Sequence, residues 1–174
     1  MRTRSPSLRD RAALMALIDP PASSPVATSS GPPSPNPFRP EEVACAIELL
    51  EAVLVPPEGN TYEALILVDE QDQPQAYACF GHTPMTESTF DLYWMVTAAA
   101  QRGKGLGGEL LTAVEGELTR RQMRRIRVET SSLEGQGGAV RFYQRCGYRL
   151  VGTIADFYRP GDDLLTLVKE LPPS

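Results

Sequence analysis

Apolar residues recur along the first third of the chain at helical spacing. Ala13, Leu14, Leu17 and Ile18 share one helical face, and Ser7 followed three residues later by Asp10 supplies the start signal of that helix. Val43, Ile47, Leu50 and Leu54 repeat the spacing; Pro40, Glu41 and Glu42 fit a first turn, and Pro56 and Pro57 stop the run. The period then shortens. Tyr62–Val68 and 75–80 are β-rich runs separated by the polar stretch 69–74, a turn of hairpin length. Thr89–Thr97 (TFDLYWMVT) follows the turn-like residues 81–88, so three successive strands predict an antiparallel meander.

The second half alternates between the two periods. Leu106, Leu110, Ala113, Val114 and Leu118 mark a helix that starts at a glycine cluster and ends at Arg120 and Arg121, whose charge suits the C-terminal end of the dipole. In 124–130, Ile126 and Val128 alternate with Arg125, Arg127 and Glu129 as a strand requires. Ala139, Phe142, Tyr143 and Cys146 stand at i, i+3, i+4 and i+7 with Gly147 closing the helix, and 148–157 and 164–171 read as two last strands. The order α, α, β, β, β, α, β, α, β, β predicts an α/β fold. Its sheet is mixed and largely antiparallel, with a central βαβ crossover and flanking helices.

One stretch breaks the pattern. Half of the sixteen prolines fall between Pro20 and Pro40, among Ser and Thr, so a loop at about 19–40 is expected. It reads as a flexible connection, with a docking arm or a substrate lid as alternatives. The length of 174 residues suits a single domain spanning 1–174. The net charge of −5 gives no general pull toward nucleic acid or anionic membrane, and no apolar run approaches the roughly 18 residues of a membrane span. Cys45, Cys79 and Cys146 are odd in number and widely spaced. They read as reduced thiols of a cytoplasmic protein. Arg2 and Arg4 ahead of the apolar stretch 12–18 faintly echo a secretory signal, but Arg9, Asp10 and Arg11 abut that stretch and count against one.

Candidate chemistry centres on Arg102, Gly103, Lys104, Gly105, Leu106, Gly107 and Gly108, set between a strand and a helix. Glycines let backbone N–H groups turn toward a ligand, and a helix N-terminus adds about half a positive charge, so the segment predicts a phosphate site. Gly103, Gly105 and Gly108 also match GxGxxG, with Glu129 twenty-one residues beyond. The preceding meander and the short chain that remains count against a dinucleotide-binding oxidoreductase. Lys104 followed by Gly105 does not make a Walker A lysine.

In that order and context the loop resembles the R/QxxGxG/A segment of the GNAT superfamily of acyl-CoA-dependent N-acetyltransferases. Leu92 to Thr97 is similar to its central strand, Ala139, Phe142, Tyr143, Cys146, Gly147 and Tyr148 to its A-x-x-FY-x-x-x-GF segment, and the stretch from Asp156 to Asp163 to its final turn. The resemblance covers about 60–171 and implies a GNAT-like fold and the use of acetyl-CoA without a metal. The pyrophosphate would sit on the backbone from Arg102 to Gly108, and the pantetheine arm would pair with Met95, Val96 and Thr97. Gln136 stands where many relatives carry a cofactor-contacting Asn.

The implied reaction is direct attack of an amine on the thioester. A Lys-type amine is neutral about once in two thousand molecules at pH 7, a cost of about 4.6 kcal/mol, so a base or a water path to one is needed. Glu129 resembles a catalytic glutamate of the ribosomal-protein acetyltransferase branch; pairing with Arg127 or Arg125 is the alternative, and Asp91 is a second candidate that reads otherwise as a solvated or capping residue. Tyr143 would protonate the departing CoA thiolate, with a core tyrosine as the alternative. The acceptor is a small-molecule or peptide amine, a homodimer is one option for assembly, and a non-catalytic CoA-binding module is the rival function. His82 reads as a turn histidine. Arg120, Arg121, Arg124, Arg125 and Arg127 read as solvated surface, not a nucleic-acid patch.

Overall fold

The computed structural model describes residues 1–20, 38–133 and 138–173. Its strands are β1 (Arg2–Arg4), β2 (Tyr62–Val68), β3 (Pro74–His82), β4 (Thr89–Thr97), β5 (Arg125–Ser131), β6 (Arg149–Arg159) and β7 (Asp162–Glu170). They form a mixed, mostly antiparallel seven-stranded sheet in the order β1-β2-β3-β4-β5-β7-β6. The helices are α1 (Arg11–Ile18), α2 (Pro40–Leu54), α3 (Leu106–Arg120) and α4 (Gly138–Arg145). The β4–α3–β5 crossover makes the parallel pair, Thr89 opposite Arg125 through Leu92 opposite Val128, at the middle of the sheet as the pattern requires. No helix among the described residues is long and apolar enough to cross a membrane.

The chain divides into two compact units, each built from two stretches of chain. The first comprises Met1–Phe80 and Trp94–Val114. Ile66, Leu67 and Val68 are buried in succession, as are Ala76 through Phe80, so β2 and β3 lose both faces to the interior. Val43, Ala46 and Leu50 of α2 and Leu14 and Ile18 of α1 are buried too, and Arg11 Nε donates to Glu51 Oε1 at 2.7 Å. Glu42 accepts the Arg39 backbone N–H at 2.7 Å, closing the N-terminus of α2.

The second unit comprises Gly81–Tyr93 and Glu115–Ser174. Ile126, Val128 and Thr130 of β5 are buried in alternation with more exposed neighbours, which confirms the period of two. β7 runs antiparallel to β5 and to the edge strand β6. Ser131 donates its hydroxyl to Asp162, and Ser132 Oγ accepts the Asp163 N–H at 2.9 Å, fastening the end of β5 to the β6–β7 turn.

The sequence reading missed β1. Three residues with two arginines carry no strand pattern; their strand exists because Arg2, Thr3 and Arg4 pair with Val68, Leu67 and Ile66 on the outer edge of β2. The last two strands meet more tightly than 148–157 and 164–171 suggest. Gly161 takes a positive φ of 79°, and Asp156 Oδ1 accepts its N–H at 2.6 Å, so the turn closes in fewer residues. The segment 21–37, most of the Pro-rich stretch, lies outside the described residues.

Candidate active site

In the first unit the glycine loop joins β4 to α3. Gly103 and Gly105 have φ of 78° and 87°, values that L side chains rarely adopt. The first helical acceptor is the Gly105 carbonyl, which takes the Glu109 N–H at 3.0 Å. The N–H groups of Leu106, Gly107 and Gly108 therefore precede the helical ladder, at the positive end of a fifteen-residue helix. A Cβ placed on Gly103, Gly105 or Gly108 would meet nothing within 4 Å, so internal packing does not demand glycine at Gly108. Arg102 and Lys104 are exposed beside it, Lys104 Nζ donating to Gln101 Oε1 at 3.2 Å.

The strand that feeds this loop is only partly paired on its β5 side. The register ends at Leu92 opposite Val128, while β4 continues to Thr97. Among the described residues, Met95, Val96 and Thr97 thus lie beyond the last β5 register partner. Val96 is buried, and Met95 and Thr97 are half-buried.

In the second unit, two carboxylates meet one guanidinium on the polar face of β4 and β5. Asp91 is 7% exposed. Arg127, its register partner, donates to it twice, Nε to Oδ1 at 2.6 Å and a terminal nitrogen to Oδ2 at 3.1 Å, and these bonds hold the guanidinium pKa above its ordinary range. Glu129, two residues along the same face, reaches Arg127 at 3.4 Å and its side chain stays 43% exposed. Of the alternatives for Glu129, Arg127 is its partner, while Arg125 pairs instead with Glu170 at 2.9 Å. Asp91 is neither solvated nor a cap. Buried inside a strand it needed a charged partner, and the crossover supplied the half-buried Arg127, which is correspondingly not a freely solvated arginine.

Tyr143 is buried on α4, its ring centroid 5.2 Å from that of Phe142 and 5.4 Å from that of Tyr148. The predicted helical face is present, although Ala139, Phe142 and Cys146 are only half-buried. Gln136 lies outside the described residues. His82 ends β3 with its ring edge-on to Phe90 at 5.4 Å, and among the described residues no group of three His, Cys, Asp or Glu side chains gathers as a metal ion would require. Cys45, Cys79 and Cys146 are free thiols, and burial first among causes pushes Cys79 up to about 12. Arg120 and Arg121 both pair with Glu117.

The residue that sequence reasoning undervalued is Arg127. Its signal was Asp91 itself: an acidic residue inside TFDLYWMVT has to be answered by a cation on the neighbouring strand, and Arg127 is the one in register.

Residues 61–150, just over half of the chain, match the acetyltransferase (GNAT) domain family. Over 93 residues the chain is 40% identical to a blasticidin-S acetyltransferase of Streptomyces morookaense, a match that takes in 52% of this chain and 62% of that protein, less than two thirds of its length. A solved GNAT-family structure from Desulfovibrio desulfuricans agrees with a TM-score of 0.82 at 28% identity, covering 98% of this chain and 99% of that one. An aminoglycoside 6′-N-acetyltransferase solved with coenzyme A gives 0.69 at 14% identity, over 100% of this chain and 99% of that one, and so shares the fold. With the loop, the crossover and the family match in agreement, the chain belongs to the GNAT acetyltransferase family.

Proposed function

We propose that the protein transfers the acetyl group of acetyl-CoA to a primary amine of a small molecule of the antibiotic kind. The observation that carries the reading is the glycine loop before α3. It opens backbone N–H groups at a helix N-terminus and leaves room where Gly108 has no internal reason to be glycine. The antibiotic class rests on the 40% identical blasticidin-S acetyltransferase, together with the exposed carboxylate of Glu129, which attracts an ammonium.

When bound, acetyl-CoA supplies an acyl group activated as a thioester and a thiol as leaving group. The backbone from Arg102 to Gly108 holds the pyrophosphate, and Arg102 and Lys104 add charge beside it. The edge at Met95, Val96 and Thr97 would take the pantetheine amides as an added strand would be taken, and one backbone N–H near Val96 would face the carbonyl oxygen where negative charge develops. Glu129 receives the proton of the incoming amine at a carboxylate oxygen, and the Tyr143 hydroxyl donates one to the departing sulfur.

Gly108→Val separates binding from folding. Its backbone is not in the left-handed region and its surroundings are open, and valine is the better helix former by a few tenths of a kcal/mol, so the melting temperature should hold or rise. Affinity for acetyl-CoA, read by calorimetry, should fall at least about tenfold as the side chain blocks approach to the backbone. Unchanged affinity places the pyrophosphate elsewhere. Turnover is read as thiol release from acetyl-CoA with blasticidin S, an aminoglycoside, spermidine and an alanine-terminal peptide. Release with the peptide alone overturns the small-molecule reading, and tight binding with no release from any of the four supports the non-catalytic module.

A further inference from the structure

The end of α4 is built around two tyrosines five residues apart. The Tyr148 N–H donates to the Tyr143 carbonyl at 3.0 Å and the Gly147 N–H to the Gln144 carbonyl at 3.0 Å, the paired bonds of a Schellman cap, with Gly147 at φ 90°. This cap brings the residue after the glycine back over the last helical turn. Here that places the Tyr148 ring against the Tyr143 ring, centroids 5.4 Å apart at 60°, with Phe142 on Tyr143 as well at 69°.

Tyr148 is itself held. It is 2% exposed, and Lys169 Nζ stands 5.7 Å from its ring centroid while donating to Glu115 Oε2 at 2.6 Å. Its hydroxyl is buried with no hydrogen-bond partner among the described residues, and burial, followed by the nearby Glu115 carboxylate, raises its pKa. The ring therefore carries the contacts that hold this side chain in place.

We propose that Tyr148 is a positioning residue for Tyr143: its ring, fixed by the Gly147 cap and by Lys169, fixes the rotamer that aims the Tyr143 hydroxyl. The proposal rests on the reading of Tyr143 as the proton donor. Tyr148→Phe keeps the ring and its contacts, so stability stays close to wild type and kcat within about twofold. Tyr148→Leu frees Tyr143 to turn. It should lower kcat about tenfold or more while the KM for acetyl-CoA stays within about twofold.

The test is a double-mutant cycle on the full chain, using acetyl-CoA and the amine of the panel above that is turned over fastest, with melting curves run on every variant. Tyr148→Met, flexible enough to refill the site, is read alongside Tyr148→Leu so that a failure to fold in one leaves the other. If Tyr148 acts through Tyr143, Tyr143→Phe combined with Tyr148→Leu is no slower than Tyr143→Phe alone. Multiplied losses, or a folded Tyr148→Leu with full kcat, overturn the proposal while leaving the proton donor in place. Tyr143→Phe at wild-type rate overturns the donor reading, and the proposal with it.

Discussion

Two clusters in this molecule start from the same unit, a buried aspartate gripped by two nitrogens of one arginine, and finish differently. In the first unit Asp10, 4% exposed, accepts both terminal nitrogens of Arg4 at 2.8 Å and also the Ser7 N–H and hydroxyl. The second carboxylate there, Asp72, is surrounded by Arg2, Arg4 and Arg9 at 2.7 to 3.0 Å. The Arg4 hydrogen bonds hold the Asp10 carboxyl far below its ordinary range and that of Asp72 below it as well. In the second unit Asp91 is gripped as closely by Arg127, yet the second carboxylate, Glu129, has among the described residues one ionic contact, at 3.4 Å. The first cluster uses its acceptors to tie β1, the 3-10 turn at Leu8–Asp10 and the β2–β3 turn together. The second spends one carboxylate on burial and leaves the other exposed.

The largest effect separates the two at once. Arg4→Met leaves Asp10 buried without its cation and should cost about 3 kcal/mol of stability, read by urea unfolding. Wherever the variant is folded, kcat should be unchanged. The acid dependence has a definite sign. Asp10 titrates lower in the folded protein than in the unfolded chain, whose carboxyl is near 3.9. On acidification the unfolded state takes up the proton first, so the pair's contribution is complete above about pH 5 and is lost progressively as pH falls below about 4. Unfolding curves between pH 5 and 2 should slope less in Asp10→Asn than in wild type. An unaltered slope removes Asp10 as the group responsible.

Glu129→Gln should show the reverse signature. The side chain is exposed and its single ionic contact is long, so the melting temperature should barely move. Loss of the base should lower kcat/KM about 100-fold at pH 7, or about 2.7 kcal/mol of transition-state stabilisation, with water standing in for part of the role. The deficit should narrow toward pH 9.5, where more of the amine is already neutral. A deficit that stays constant with pH, or a matching loss of stability, makes Glu129 a structural partner of Arg127.

The contrast also marks what could be read from the chain beforehand. Periodicity sufficed for α2, β2, β4, α3 and the βαβ crossover, because each buries an apolar face whose spacing is local information. β1 was invisible for the opposite reason: Arg2, Thr3 and Arg4 have no apolar face, and their strand follows from the edge of β2 and the charges of Asp10 and Asp72, sixty or more residues away in the latter case. The glycine loop was legible because positive φ at Gly103 and Gly105 is a one-residue requirement. The Asp91–Arg127 pair joins residues thirty-six apart, and only the strand register decides that Arg127 and not Arg125 lies opposite Asp91.

The smallest expected effect is at Arg125, and it sharpens the comparison because Arg125 stands two residues from Arg127 on the same face of β5. Its partner Glu170 lies directly opposite on β7, Nε to Oε1 at 2.9 Å, as short a contact as several in the two clusters. What differs is water: both side chains are about half exposed, so the attraction is screened and neither charge is stranded when the other is removed. Arg125→Ala should therefore change stability by less than about 1 kcal/mol, a difference that shrinks further in 0.5 M salt, and should leave kcat/KM untouched. Arg127→Ala in the same assay strands Asp91 and loosens Glu129, so it should lower stability and activity together. Equal effects from the two substitutions would mean that burial of the aspartate, and not the length of the contact, has been misjudged as the feature that divides anchoring pairs from ornamental ones.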